Sequence, residues 1–138
     1  MGLQEKLASA GKKQGRNIDW MNYPNKLNQL YFRMEVDTEC AKFCVDIQYR
    51  NEGVREVFFE QFEEFKLKLT QNMPHELTWL KSFEHSNKKT IARIYSQVDS
   101  VSVYDEKTWL VAHQFLEENF MAFDQFWQEF GEVFRNLQ

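Results

Sequence analysis

An α+β fold is predicted for this chain: a mostly antiparallel sheet of four to five strands in two hairpins, with two amphipathic helices packed on one face, in the order β-β-α-β-β-(β)-α. Three observations predict it. The segments "LYFRMEVD" and "CAKFCVDIQYR" alternate apolar and polar residues with period two. Residues 51–73 repeat apolar side chains every three or four positions. The same helical step runs from Asp105 to the end of the sequence.

The first hairpin is the clearest element. Phe32, Met34 and Val36 alternate with Tyr31, Arg33, Glu35 and Asp37, while Ala41, Phe43, Val45, Ile47 and Tyr49 alternate with Cys40, Lys42, Cys44, Asp46 and Gln48. A polar "DTEC" link joins the two runs, as expected for a half-buried β-hairpin. Pairing positions that sum to 77 sets Phe32 on Val45, Met34 on Phe43 and Glu35 on Lys42. A one-residue slip would set every apolar side chain against a polar one. A sum of 79 stays open, because Thr38-Glu39 is not a favoured two-residue turn.

The next segment changes period. Val54, Val57, Phe58, Phe62, Phe65 and Leu69 form one helical stripe, with Asn51 as N-cap and Pro74 marking the end. "LTWLKSFEH" and "TIARIYSQV" read as a second hairpin around "HSNKK", and "VSVY" offers an optional fifth strand. From Asp105, a helix cap, the apolar positions are Trp109, Ala112, Leu116, Phe120, Phe123, Trp127, Phe130, Phe134 and Leu137. That is one helix of roughly 48 Å, or two with a kink near Glu118-Asn119. Phe126 lies about 80° from the centre of this arc, beside Phe115 and Val133. Either the first helix covers these three, or they form a strip that a second copy buries, which would make the protein a homodimer.

A chain of 138 residues is long enough for one domain with its own core. Residues 1–16 read as a flexible basic stub and 17–138 as the single α+β domain. Thirteen Phe and four Trp exclude a disordered chain. The net charge of −4 gives no global attraction to nucleic acid or anionic membrane. The charge is uneven, however, with six basic and two acidic residues in 1–33 against one basic and five acidic in 117–138. Without a signal-peptide core or an apolar run of about 18 residues, the chain reads as cytoplasmic with no membrane partner. Cys40 and Cys44 on one strand stand about 13 Å apart at ~3.3 Å per residue, beyond the ~7 Å reach of a disulfide.

No catalytic, metal or cofactor motif emerges. His75, His85 and His113 share no ligand spacing, and HExxH, CxxC, P-loop and GxSxG patterns are absent. Lys42 could lower the pKa of Cys40 or Cys44, but small residues on an open strand face are the better reading. A metal-dependent nuclease needs acids on neighbouring strands and a lysine two positions after one of them. Asp37, Asp46 and the Glu64–Lys66 pair are the candidates, the last on a helix. For a nucleic acid or other ligand, Tyr31 and Arg33 on the hairpin are the candidate contacts, joined by Arg93 if its strand is adjacent. Glu35, Asp37 and Asp46 on the same face oppose phosphate, so a solvated face with Glu35–Lys42 pairs is favoured.

"IDWMNY", "YFRMEVD", "FFEQFEEFK", Trp79, "RIYSQVDSVSVYDEKTW" and "FMAFDQFW" follow one another in an order that resembles a prokaryotic domain of unknown function, DUF4268. The likeness runs from about Asn17 onward, and its matching positions are Trp20, Asn22, Tyr23, Arg33, Trp79, Arg93, Trp109 and Trp127. Members often form the C-terminal part of larger proteins whose N-terminal part resembles restriction-type nucleases. The resemblance implies no catalytic residue here. It adds Trp20 and Tyr23 to the candidate binding residues. The leading expectation is a non-catalytic interaction or accessory module with a protein or nucleic-acid partner, in a nucleic-acid-related or defence setting. The alternatives are a nuclease-like enzyme or its subunit, and a small-molecule-binding domain between sheet and helices.

Overall fold

A computed structural model describes residues 27–85 and 88–137. The basic stub and the candidate residues Trp20 and Tyr23 lie outside these. Strands β1 (Leu30–Val36) and β2 (Cys40–Ile47) form the first hairpin, and β3 (Thr78–Glu84) and β4 (Thr90–Asp99) the second. All pairs are antiparallel, and the sheet order is β1-β2-β4-β3, so the two hairpins join through β2 and β4. Helices α1 (Glu52–Glu64) and α2 (Lys66–Asn72) connect the hairpins, and α3 (Trp109–Arg135) follows β4.

In the first hairpin Phe32 faces Val45, Met34 faces Phe43 and Val36 faces Ala41, the register that sums to 77. The turn is made by Asp37, not by Thr38-Glu39 alone. Its Oδ1 accepts from the backbone N–H of Glu39 at 2.8 Å and of Cys40 at 2.9 Å. A carboxylate that satisfies two turn amides favours a link at Thr38-Glu39 over one shifted to Glu39-Cys40.

Asn51 caps α1, its Oδ1 accepting from Val54 N at 3.0 Å. The single helix expected over 51–73 is in fact two. At Phe65 the backbone N–H donates to Phe62 O three residues back, and the helix restarts with Leu69 N on Phe65 O. Phe65 is thereby held against α3, with ring centroids 5.5 Å from Phe126 and 4.7 Å from Phe130.

The optional fifth strand at 101–104 is not a strand. Ser100 adopts a left-handed φ of 63°, which turns the chain off the sheet where β4 ends. Val101 and Val103 donate instead to Glu39 O and Asp37 O of the first hairpin turn. A 3₁₀ turn (Glu106–Thr108) follows, with Asp105 Oδ1 accepting from Lys107 N. The last helix runs unbroken past Glu118-Asn119, so of the two alternatives the single helix is the one formed. Asn119 there is a buried anchor. Its Oδ1 accepts from Ser96 Oγ of β4 at 2.9 Å, while its Nδ2 donates to Phe115 O at 2.7 Å and lies 3.1 Å from His75 Nδ1.

The three helices lie on one face of the sheet. The apolar residues of β1 and β2 and Ala92, Ile94, Ser96 and Val98 of β4 point to them, as the strand register requires. Phe32 and Phe43 contact Phe123 of α3 at 4.7 and 5.4 Å between centroids. Phe62 of α1 sits among Phe123, Phe126 and Phe134. Gly131 is required by the neighbouring indole, since a Cβ there would come within 2.8 Å of the Trp127 ring. Trp127 itself is buried and its Nε1 finds no acceptor among the described residues.

This packing corrects the strip proposed for self-association. Phe126 and Phe115 are only 2% and 3% exposed within the monomer. Rings of α1 and the Phe65 junction cover Phe126, and His75 packs on Phe115 at 4.8 Å. Val133 alone remains exposed, so the sequence argument for a homodimer through these residues falls.

Candidate functional site

The face of the sheet opposite the helices carries a buried charge cluster. Asp46 on β2 and Arg93 on β4 are direct cross-strand partners, fully buried and 3% exposed respectively. Arg93 Nε donates to Asp46 Oδ1 at 2.7 Å and Nη2 to Oδ2 at 2.9 Å. The same guanidinium grips a second carboxylate, with Nη1 and Nη2 donating to Glu35 Oε1 and Oε2 at 3.2 and 3.0 Å. Each pair is a fork-to-fork contact, the strongest form of charge-assisted hydrogen bonding between side chains. Arg33 Nε stands 3.9 Å from Asp46 Oδ2, and His85 Nε2 stands 3.8 Å from Glu35 Oε2.

A β-bulge supplies the rest of the cluster. Thr78, Trp79 and Leu80 pair with Tyr95, Ile94 and Arg93, and the register then shifts by one before Phe83 meets Ile91. The extra residue reverses which side chains face the helices. Trp79 points into the core against Phe59, whereas Phe83 turns to the outer face, 5.1 Å under the Arg93 guanidinium. His85 follows on that face. The cluster therefore draws Glu35 from β1, Asp46 from β2, Arg93 from β4 and His85 from the end of β3.

The electrostatics follow from this geometry. Partial burial works against ionisation of Glu35, but the hydrogen bonds and charge of Arg93, with Lys42 and His85 nearby, hold its carboxyl below the ordinary value. Burial opposes the charge on Arg93 as well, and Asp46 outweighs it, raising the guanidinium pKa further. Glu35 sits opposite Lys42 in the register, yet its carboxylate is bonded to Arg93, which corrects the solvated Glu35–Lys42 pair.

Both cysteines are buried, not on an open face. Burial pushes the Cys44 thiol far above its ordinary pKa. Burial and the Asp37 carboxylate, 3.7 Å from Sγ, raise Cys40. Lys42 does not activate either one. Of the acids considered for a nuclease, Asp46 is bonded to Arg93, Asp37 caps a turn, and Glu64 ends α1 accepting from Gln61 Nε2 at 3.1 Å. Among the described residues no group of three or more His, Cys, Asp or Glu comes together as metal ligands.

The structure thus brings Arg33 and Arg93 to opposite sides of Asp46, with Tyr31 beneath Arg33 at 4.5 Å from ring centroid to guanidinium carbon. The Tyr31 hydroxyl donates to Asn28 O. Arg33 is 47% exposed, whereas Arg93 is spent on two carboxylates. Sequence reasoning missed Glu35, Asp46, Phe83 and His85 as members of this cluster. A signal was present in "CVDIQ" and "IARIY", each a lone charge inside an apolar run, since such a charge needs a buried partner.

Fold and cluster together define an α+β module with a buried ionic clasp on the sheet face opposite the helices. The chain matches the family described as Domain of unknown function (DUF4268) over residues 2–131, and it belongs to that family. No curated protein and no solved structure matches it. Among the described residues no helix is long and apolar enough to cross a membrane.

Proposed function

We propose that the chain is a non-catalytic interaction module that engages its partner through the outer sheet face around Arg33 and Tyr31. The observation that carries this reading is the saturation of Arg93 by Asp46 and Glu35. The carboxylates that hydrolytic chemistry would draw on are structural ligands of a guanidinium, and the face they brace presents the exposed Arg33 stacked on Tyr31. A rigid sheet with an arginine supported on an aromatic ring suits recognition by charge and stacking. The nucleic-acid setting comes from family resemblance, and a nucleic acid is the first partner to test.

The test is a binding titration with fluorescent single-stranded DNA and RNA at several salt concentrations. Salt-sensitive binding weakened by Arg33→Glu supports the reading. Plasmid cleavage dependent on a divalent cation and abolished by Asp46→Asn, in a variant shown to remain folded, would overturn it.

A further inference from the structure

A separate recess lies where β2 runs into α1 and the second hairpin begins β4. It has a volume of about 780 Å³ and is lined by Arg50, Glu52, Arg55, Lys89 and Thr90. Three cations face one carboxylate there, in a chain whose net charge is −4. The local charge therefore runs against the molecule's own.

Arg55 is fixed in place by its neighbours. Nη1 donates to Tyr49 O and to Arg50 O, both at 2.9 Å, while Nε and Nη2 have no acceptor among the described residues. Lys89 Nζ is tethered to Gln48 Oε1 at 3.2 Å. Arg50 makes no ion pair among the described residues. On the adjoining wall Glu56 is partnered by Lys81 at 3.9 Å, and Glu52 is the acid among the described residues that line the recess. The guanidinium is thus pre-oriented by backbone carbonyls with half its fork open, beside a second arginine, an ammonium and a threonine hydroxyl.

We propose that this recess binds the phosphoryl group of a compact phosphate-bearing ligand. A guanidinium fork matches a phosphoryl oxygen pair in geometry and charge, and a lysine adds a point charge from another side. The lining comes from two separate chain segments, 50–55 and 89–90, which converge at the recess. The cations are confined to residues 50–55 and 89–90, a footprint that suits a compact group in preference to a polymer track.

The experiment is an NMR titration of the full chain with pyrophosphate at constant ionic strength, following the Arg55 Nε signal and the amides of residues 50–55 and 89–90. Saturating shifts confined to these signals are expected, with at least a tenfold loss of affinity in the Arg50→Gln/Lys89→Gln variant. Both substituted side chains are exposed, so the variant keeps the fold. Shifts spread over all lysines and arginines, or an unchanged affinity in the variant, would overturn the site. An oligonucleotide without terminal phosphate is the second arm. Competition by it at these residues would overturn the compact ligand, and failure to compete supports it. Arg33→Glu leaves this titration unchanged, which separates the recess from the outer sheet face.

Discussion

Glu35 and His85 belong to opposite edges of the sheet, yet their side chains approach to 3.8 Å. Glu35 extends from β1 along Arg93, and the bulge in β3 turns His85 towards it. Between them, in the register, lie Cys44 and Asp46 on the first interior strand and Arg93 on the second. The outer face is therefore closed by charge where the other face is closed by rings.

The Asp46–Arg93 pair sets the first expectation. Arg93→Met leaves a fully buried carboxylate without its bidentate partner, at a cost of about 3–5 kcal/mol. Asp46→Leu combined with Arg93→Met regains most of that loss, because a buried pair replaced by apolar residues is often neutral. Denaturant unfolding of the two single variants and the double variant measures this directly. A loss below about 1 kcal/mol for Arg93→Met, in the range of an exposed ion pair, would show that the pair carries little.

Acid should weaken the clasp in a defined direction. The folded-state pKa of Glu35 is below the ordinary 4.5, so its contribution is present above that pH and is lost as pH falls through the folded value. Asp37, whose carboxylate accepts from the Glu39 and Cys40 amides, is lowered too and acts in the same sense. Denaturation midpoints followed below pH 4.5 should fall more steeply for the wild type than for Glu35→Gln. Parallel curves for the two proteins would remove Glu35 from the acid response.

Phe126 separates core from interface. With its ring against Phe62, Phe65, Phe123, Phe130 and Phe134, Phe126→Ala should cost about 3–5 kcal/mol. Its molar mass by light scattering should match that of the wild type. A variant of unchanged stability that shifts the mass would restore the interface.

Gly131→Ala tests packing against propensity. Alanine gains about 1 kcal/mol over glycine inside a helix. Its Cβ would meet the Trp127 indole at 2.8–2.9 Å, and overpacking a core costs about 1–3 kcal/mol. The rigid, buried ring has no free end to swing aside, so net destabilisation is expected. A rise in melting temperature would mean that the indole shifts freely.

The hairpins, the odd-sum parity of the first register, the Asn51 cap and the placing of the described helices on one face were legible in the residues, whereas the choice of 77 over 79 was not. What escaped depended on contacts between distant segments. Asp46 read as a solvated or metal-binding acid until β4 was set beside β2. The break at Phe65 and the continuity through Asn119 depend on α3 lying against other elements, which no window of sequence contains. The bulge was equally hidden, since Trp79 and Phe83 share a parity in the sequence and lose it in the sheet.

The central seam has a kinetic consequence. Each hairpin closes over a few residues, a step on the order of microseconds. Asp46 and Arg93 are separated by 47 positions, with two helices between their strands. Local contacts are favoured before distant ones because loop closure costs entropy, so the two hairpins are expected to form before the seam that joins them. A two-residue slip at that moment would keep the apolar faces aligned, and hydrophobicity alone would not reject it. It would, however, set Arg93 opposite Cys44 or Gln48 instead of Asp46. The buried pair thus acts as a proofreader of docking, rejecting registers that the greasy side of the sheet would accept.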